Sequence, residues 1–484
     1  MDLVTGFALL GGLLLVTALA AGLVARAPVS FPMIFLALGL ALGPGGVGLL
    51  RIGPDDRLLE LLAVLTLSLI LFLDAMDLEI AGERRELVPP ILALGPGTVI
   101  VVALVGLIAM LLLHLPPVTA FLLSAILAST DPVVLRDVLR DVRIPASVRR
   151  ILQVESGAND VVVLPIVLVL IAVSLHRAGD AASWAVFLAK LLVIGPLSGF
   201  VVGGLGAWLM TRVDARFGVG REYQSMYGLG LVLAAYALGA TVGVDGFLAT
   251  FAAGLAVRVL GQELCDCFLE FGAAAAEMTM LLAFVLFGAV LSSVLGVAPL
   301  LPAVGLALLA VLVVRPLAVA VVFLGRSTRL SWRGRAFIGW FGPRGLTSLL
   351  FALLVVEAGV PGYQLLLALT GVVVVASVLL HGVTSSPVTE LYARAVTRRT
   401  LDEERVAATS ELFRSAPAEV PRITVEQLAA DLESPQPPLV LDVRSRSQHA
   451  RDPSRIPGSI RVLPDEVTEW ARARQPGRVV LYCT

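Results

Sequence analysis

Lysine is almost missing from this chain: Lys190 stands alone, and the rest of the positive charge is arginine. Cysteine is scarce as well, with Cys265, Cys267 and Cys483 in 484 residues, too few for a disulfide framework. Cys265-Asp266-Cys267 has no histidine or further thiol nearby, so it reads as an ordinary loop and not a zinc site. Charge of either sign is thin, at 15% against roughly 25% in soluble domains. A net charge of -1 with no basic domain or stripe excludes nucleic acid as a partner. The first apolar segment lacks a basic n-region and a clear cleavage site, and so reads as a span and not a leader. What the chain has is hydrophobicity: 58% apolar residues and a mean hydropathy of +0.92. That composition belongs to an all-α polytopic membrane protein.

At about 20 apolar residues per crossing, about thirteen spans fit. They run over 3–24, 29–50, 58–77, 89–113, 117–138, 150–175, 184–211, 222–242, 245–260, 276–294, 299–324, 335–356 and 363–390. With the N-terminus outside, the inward loops collect Arg84, Arg85, Arg136, Arg140, Arg143, Arg149, Arg150, Arg212, Arg216, Arg221, Arg326, Arg329, Arg333 and Arg335, while the outward loops hold only Arg51, Arg57 and Arg177. That asymmetry predicts a multi-pass protein of the cell membrane, N-terminus out and C-terminus cytoplasmic. Three segments follow: a membrane domain over 1–391, a polar linker over 392–420 and a small α/β segment over 421–484. In the last, Thr424 and Gln427 form a capping box opening a helix. Leu439–Asp442 and Val479–Tyr482 read as buried parallel strands.

The chemistry gathers at Glu155-Ser156-Gly157-Ala158-Asn159-Asp160, at the start of an apolar run that ends near Leu175. A charge at membrane depth costs roughly 2.5–3.5 kcal/mol, so such residues face a wet cavity and serve a function. Three further interruptions stand out. Ser129-Thr130-Asp131-Pro132 breaks the fifth span, because Pro132 lacks an N–H and clashes with the carbonyl of Ala128. Gly342-Pro343-Arg344-Gly345 breaks the twelfth, and Arg315-Pro316 lies in the eleventh. If spans 1–6 and 8–13 are inverted six-helix repeats joined by the seventh, the two broken helices correspond and cross, the sequence pointer to a transporter's ion site. Asp131 and Arg344 then offset the partial charges of facing half-helix ends.

Asp160, Asp131, Glu155, Ser156 and the Thr130 carbonyl are all oxygen ligands, suited to a hard cation. A carboxylate beside a cavity binds a proton or an alkali cation but not both, and this competition couples the two. Glu155 has a candidate permanent partner in Arg344, leaving Asp160 as the exchanging acid and Asn159 as a neutral orienter. One exchangeable carboxylate predicts one cation per proton. Arg315 reads equally as a supporting residue of the site and as a capping or snorkelling arginine. Other polar residues read blandly: Lys190 as snorkelling, Asp74, Asp77 and Glu277 as span ends, and Asp245 as a turn residue. A channel would need no proton competition, and acidic ligands disfavour anions.

Residues 1–390 resemble the monovalent cation:proton antiporters of the sodium/proton exchanger superfamily, in their NhaP-like electroneutral branch. Thr130-Asp131-Pro132, the hexapeptide 155–160 and Gly342-Pro343-Arg344-Gly345 carry the match, with Pro32, Gly43 and Pro44 at family-typical places. The resemblance implies Asp160 as the exchanging carboxylate, Ser156, Asp131 and Thr130 near the ion, Asn159 holding the site and Arg344 paired with Glu155. It also implies a homodimer working as an elevator in pH and cation homeostasis. Sodium is the first expectation, with potassium or lithium open, and no cofactor. The tail resembles a rhodanese domain through Leu441-Asp442-Val443-Arg444, Arg455-Ile456-Pro457-Gly458-Ser459 and Tyr482-Cys483. Arg455 stands where that family usually has histidine, and the loop and helix after Cys483 are absent. The tail is therefore expected to be incomplete and not an enzyme. The rival reading is a sulfur-linked transporter or membrane-tethered sulfurtransferase using Cys483.

Overall fold

The computed structural model describes residues 11, 12, 15, 19, 30–78, 84–131, 135, 138–177, 179–260, 262–324, 330–399, 401, 423–463, 466–472 and 478–482. The span expected over 3–24, the proline Pro132 and Cys483 lie outside the described residues or, for the span, almost wholly so.

The membrane domain is mainly helical over its described length. Its elements are α1 (Phe31–Leu42), α2 (Arg57–Asp77), α3 (Val88–Leu113), α4 (Pro117–Ala128), α5 (Ala146–Ser174), α6 (Ala181–Phe217), α7 (Arg221–Val242) and α8 (Gly246–Leu260). These are followed by α9 (Gln262–Val294), α10 (Leu300–Val322), α11 (Trp332–Trp340), α12 (Leu346–Glu357) and α13 (Tyr363–Arg398). Eight of the described helices are long and apolar enough to cross a bilayer. Four apolar helices are shorter, and two of these, α4 and α12, are short because α4 ends and α12 begins at a break.

Three expected boundaries shift. The fifth span is interrupted earlier than the expected break at Pro132: its first helix stops at Ala128, the chain turns extended at Ser129, and residues 135 and 138–140 are helical again. The sixth begins at Ala146, so the polar hexapeptide lies two to four turns inside α5 and not at its start. Cys265-Asp266-Cys267, expected as a loop, is part of α9.

Proline leaves a second signature. Short π-helical turns occur at Ala93–Gly97, Lys190–Ile194 and Ala310–Val314, beside Pro96, Pro196 and Pro316. A proline cannot donate to the ladder, and one wider turn lets the helix continue past it. In α10 the Arg315 N–H reaches back to the Ala310 carbonyl. α3 and α10 fill the fourth and eleventh expected spans and share this irregularity, as α4 and α11–α12 share the break.

Packing relies on close backbone approach. A Cβ on Gly199 or Gly203 of α6 would collide with the carbonyls of Ala249 or Ala253 in α8. Small residues at such crossings let helices gain dispersion contacts that lipid cannot match. One large apolar core joins α1–α5 with α9, α10, α12 and α13, and a second joins α2 with α6–α9. The outer face of α6 stays uncovered, with Leu197, Leu205 and Trp208 exposed.

In the tail, α14 (Val425–Leu432) opens on the expected capping box, with reciprocal bonds between Thr424 and Gln427. Strands β1 (Leu439–Asp442), β2 (Ile460–Arg461) and β3 (Val479–Tyr482) form a parallel sheet of order β2-β1-β3. β1 and β3 pair from Leu439 with Val479 to Asp442 with Tyr482. α15 (Arg446–Arg451) and α16 (Val467–Arg472) flank them. Arg446 donates to the Val142 carbonyl at 2.9 Å, and Arg149 pairs with Glu466 at 2.8 Å, which ties the tail to the segment leading into α5.

Candidate functional site

α5 supplies Glu155, Ser156, Asn159 and Asp160, spaced i, i+1, i+4 and i+5, so all four fall on one face. All are buried, and Asp160 has no exposed surface. The face meets the point where α4 stops and the 341–345 segment separates α11 from α12.

The two breaks satisfy each other. The Asp131 N–H donates to the Pro343 carbonyl at 2.9 Å, while an Asp131 carboxylate oxygen accepts from the Leu346 N–H at 2.9 Å. Asp131 thus caps the N-terminus of α12, where the helix dipole favours an anion. In return, the Arg344 guanidinium donates to the carbonyls of Ala128 and Ser129 at 3.0 Å each, at the C-terminus of α4. A cation belongs there by the same electrostatics. Gly345 permits the approach, because a Cβ at that position would overlap the Asp131 carboxylate.

Asn159 closes the C-terminal end of α4. Its amide donates to the Ala128 carbonyl at 2.7 Å and to the Thr130 hydroxyl at 3.1 Å, and its oxygen accepts from Thr98 at 3.2 Å. The carbonyl expected to be orphaned by the proline break therefore has two donors. Every polar atom of Asn159 is engaged in scaffolding. Asp160 differs: one carboxylate oxygen accepts from Ser129 at 2.6 Å, and the other makes no hydrogen bond. The Thr347 hydroxyl lies beside this carboxylate.

The Glu155 partner is a correction. Both oxygens of Glu155 are held by the two terminal nitrogens of Arg315, one at 2.5 Å, and Arg315 also donates to the Phe341 carbonyl at 3.2 Å. Arg344 was expected in that role, but its guanidinium is directed to the α4 carbonyls. The π-turn before Pro316 sets Arg315 on the inner side of α10. It is buried and ion-paired, and neither snorkels nor caps. Glu155 is thereby held in a planar fork–fork pair.

A cavity of about 450 Å³ opens against this cluster, lined by Asp74, Asp131, Ser156, Gly157 and Thr347 and, further out, Glu277. Asp160 lies just behind that wall. Of the residues singled out from the sequence, Asp160, Ser156, Asp131, Thr130, Glu155, Asn159, Arg344 and Arg315 are all brought into this one buried neighbourhood. The Thr130 hydroxyl contacts Asn159.

Sequence reasoning missed others. Ser129 was quoted only as part of a motif, yet its hydroxyl donates to Asp160. Asp74 was read as a span end, and it does lie near the C-terminal end of α2, but it faces the cavity across from Gly157 and has one oxygen without a hydrogen bond. The insertion cost that flagged Asp160 applies equally to Asp74 and could have found it. Thr98 and Thr347 carried no signal, since lone threonines are common in apolar helices.

Comparison with known proteins adds three findings. A family model described as sodium/hydrogen exchanger, transmembrane, matches residues 12–391. The chain is 27% identical over 382 residues to the K(+)/H(+) antiporter NhaP of Alkalimonas amylolytica, covering 78% of this chain and 65% of that protein. It is 28% identical over 391 residues to the K(+)/H(+) antiporter NhaP2 of Shewanella oneidensis, covering 79% and 66%. The matched part of the chain therefore spans just under two thirds of the length of these curated relatives. The sodium proton antiporter MjNhaP1 from Methanocaldococcus jannaschii superposes with a TM-score of 0.66 over 81% of this chain and 99% of its own, at 22% identity, a likeness of fold.

Proposed function

The chain belongs to the sodium/hydrogen exchanger family, and from that premise we propose that it exchanges a monovalent cation for a proton across the membrane, with Asp160 as the exchanging group. The setting of Asp160 carries this reading. It is a fully buried carboxylate at the crossing of two broken helices, one oxygen short of partners, beside a cavity walled by further oxygen ligands. A cation entering that cavity sheds water and gains oxygens from Asp160, Ser156, Asp131 and Asp74, with the Thr130 carbonyl beside them. A proton on Asp160 removes the charge that would hold the cation, so the two occupy the site in turn.

The charge balance supports electroneutral exchange. Glu155 is held by Arg315, Asn159 is neutral, one oxygen of Asp131 caps α12, and Asp74 keeps one protonation state through the cycle, so that Asp160 is the carboxylate that changes state. One cation then replaces one proton. Among cations, sodium fits a compact oxygen cage, and potassium is the second reading, favoured by the K(+)/H(+) names of the curated relatives. The arginine asymmetry supports the N-terminus outside and the C-terminus in the cytoplasm. The uncovered apolar face of α6 fits lipid or a second copy in a homodimer. The parallel sheet 439–482 fits a rhodanese-like tail, and no observation favours the sulfur-linked alternative.

Reconstitution into liposomes with a pH-sensitive dye tests the reading. Sodium, potassium and lithium are added in turn to vesicles with an imposed pH gradient. Cation-dependent collapse of the gradient is the expected result. No proton movement with any of the three would overturn the antiport reading.

A further inference from the structure

Two residues of α13, Ser377 and His381, lie outside the ion site yet touch the segment that builds it. Both are fully buried, and at i, i+4 spacing they share one face of the helix. That face lies against the 341–345 break. The Arg344 N–H donates to the Ser377 hydroxyl oxygen at 2.7 Å. The His381 ring lies with Nε2 3.0 Å from the Trp340 carbonyl, and with Nδ1 3.2 Å from the Ser377 hydroxyl and 2.9 Å from the Ser377 carbonyl.

Both ring nitrogens face carbonyls that can only accept, Nε2 that of Trp340 and Nδ1 that of Ser377, so a neutral ring donates to one of them. With the N–H on Nε2, Nδ1 accepts the Ser377 hydroxyl proton; with the N–H on Nδ1, that nitrogen donates toward the Ser377 carbonyl and hydroxyl oxygens. In either tautomer the ring holds the Ser377 hydroxyl oxygen where it accepts from the Arg344 N–H. Without the histidine, a serine in mid-helix directs its proton to the carbonyl four residues back, here that of Val373. A side chain released from the ring can change rotamer to follow that carbonyl, which takes the acceptor away from Arg344.

We propose that Ser377 and His381 form a positioning pair that sets the register of Arg344 and, through it, the cation affinity of Asp160. The connection is continuous in space. His381 orients Ser377, and Ser377 holds the Arg344 backbone. The Arg344 side chain grips the Ala128 and Ser129 carbonyls, and Ser129 donates to Asp160. Trp340 is the last residue of α11, so His381 also anchors the helix before the break while Ser377 anchors the residue after the turn. The charged groups facing the pair from packed elements are the guanidiniums of Arg344 and Arg315, with Glu155 beyond them on Arg315. Neither pair member touches the ion; both act through Arg344.

The inference rests on the antiport reading, and the test separates the two. Wild-type protein in dye-loaded liposomes first establishes cation-dependent proton flux, whose absence would fail the antiport reading alone. Four variants then follow, with apparent KM for the transported cation and maximal rate measured separately. Ser377→Ala and His381→Leu are expected to raise KM about five- to tenfold, the scale of one lost hydrogen bond at the site. His381→Asn returns an acceptor near the Nδ1 position and is expected to stay within about twofold of wild type. The double variant Ser377→Ala, His381→Leu is expected to match the single variants, because residues in one chain of contacts do not add. If His381→Leu yields no folded protein by gel filtration, Ser377→Ala, which removes one oxygen, carries the comparison. Unchanged KM with loss only of maximal rate or protein yield would overturn the proposal, as would multiplicative effects in the double variant.

Discussion

Replacing Arg315 with methionine separates the two arginines near Glu155 more sharply than any other change. The substitution keeps volume and removes both terminal nitrogens from a carboxylate that is 2% exposed. It also takes a donor from the Phe341 carbonyl. Breaking a buried pair by removing one partner costs about 3–5 kcal/mol, because the remaining charge is left uncompensated. At the usual unfolding entropy per residue, a chain of this length should lose roughly 3–5 °C in Tm. Replacing both members by apolar groups is often nearly neutral. Glu155→Leu combined with Arg315→Met should therefore recover most of the loss. The assay is thermal unfolding in detergent at fixed scan rate, completed as a double-mutant cycle for Glu155 with Arg315 and again with Arg344. The pairing fails as an explanation if the Arg344 cycle shows the larger coupling. It also fails if Arg315→Met unfolds within about 1 °C of wild type.

Asp160→Asn removes the exchanging carboxylate while preserving shape, and should abolish cation-dependent proton flux in liposomes; residual exchange near the wild-type rate would refute the assignment. An imposed diffusion potential should leave the wild-type flux unchanged, since one cation per proton moves no net charge, and a voltage-dependent rate would contradict this. Gly345→Ala drives a Cβ into Asp131 and should destabilise by about 1–3 kcal/mol. Gly296→Ala, whose Cβ meets open space, is the control in the same melting assay. In the tail, burial raises the Asp442 carboxyl, but the Arg444 hydrogen bonds and the nearby Arg461 outweigh it and hold the group well below the usual carboxylate range. A depressed folded value means stability that is present above about pH 4 and lost only as pH falls through the folded value. Limited proteolysis should accordingly show Asp442→Asn cut faster than wild type in the tail at pH 7, with the difference narrowing in acid.

Periodic features were legible because they follow from local rules. Helices α2, α3, α5, α7, α9, α10 and α13 lie where runs of about 20 apolar residues predict them. The capping box at Thr424 and the parallel strands 439–442 and 479–482 were equally readable. Boundaries were less so. The start of α5 at Ala146 lies in a polar, arginine-rich segment, and hydropathy cannot see a helix that continues beyond the apolar core.

Residue by residue, the sequence alone determined which groups must matter at the site. A carboxylate, an amide or a guanidinium is costly in an apolar span, so Asp160, Asn159, Glu155, Asp131 and Arg344 announced themselves one by one. The partner each takes was decided by tertiary structure. Arg344 and Arg315 carry the same charge in neighbouring spans, and nothing local says which reaches Glu155. The crossing of the breaks puts Arg344 over the α4 carbonyls, and the π-turn before Pro316 swings Arg315 onto Glu155. Asp74 became a cavity residue only when α2 was packed against α5. Cost is a property of one residue in its solvent, whereas pairing depends on distances among segments far apart in the chain, as with Arg315 and Glu155 at a separation of 160 residues.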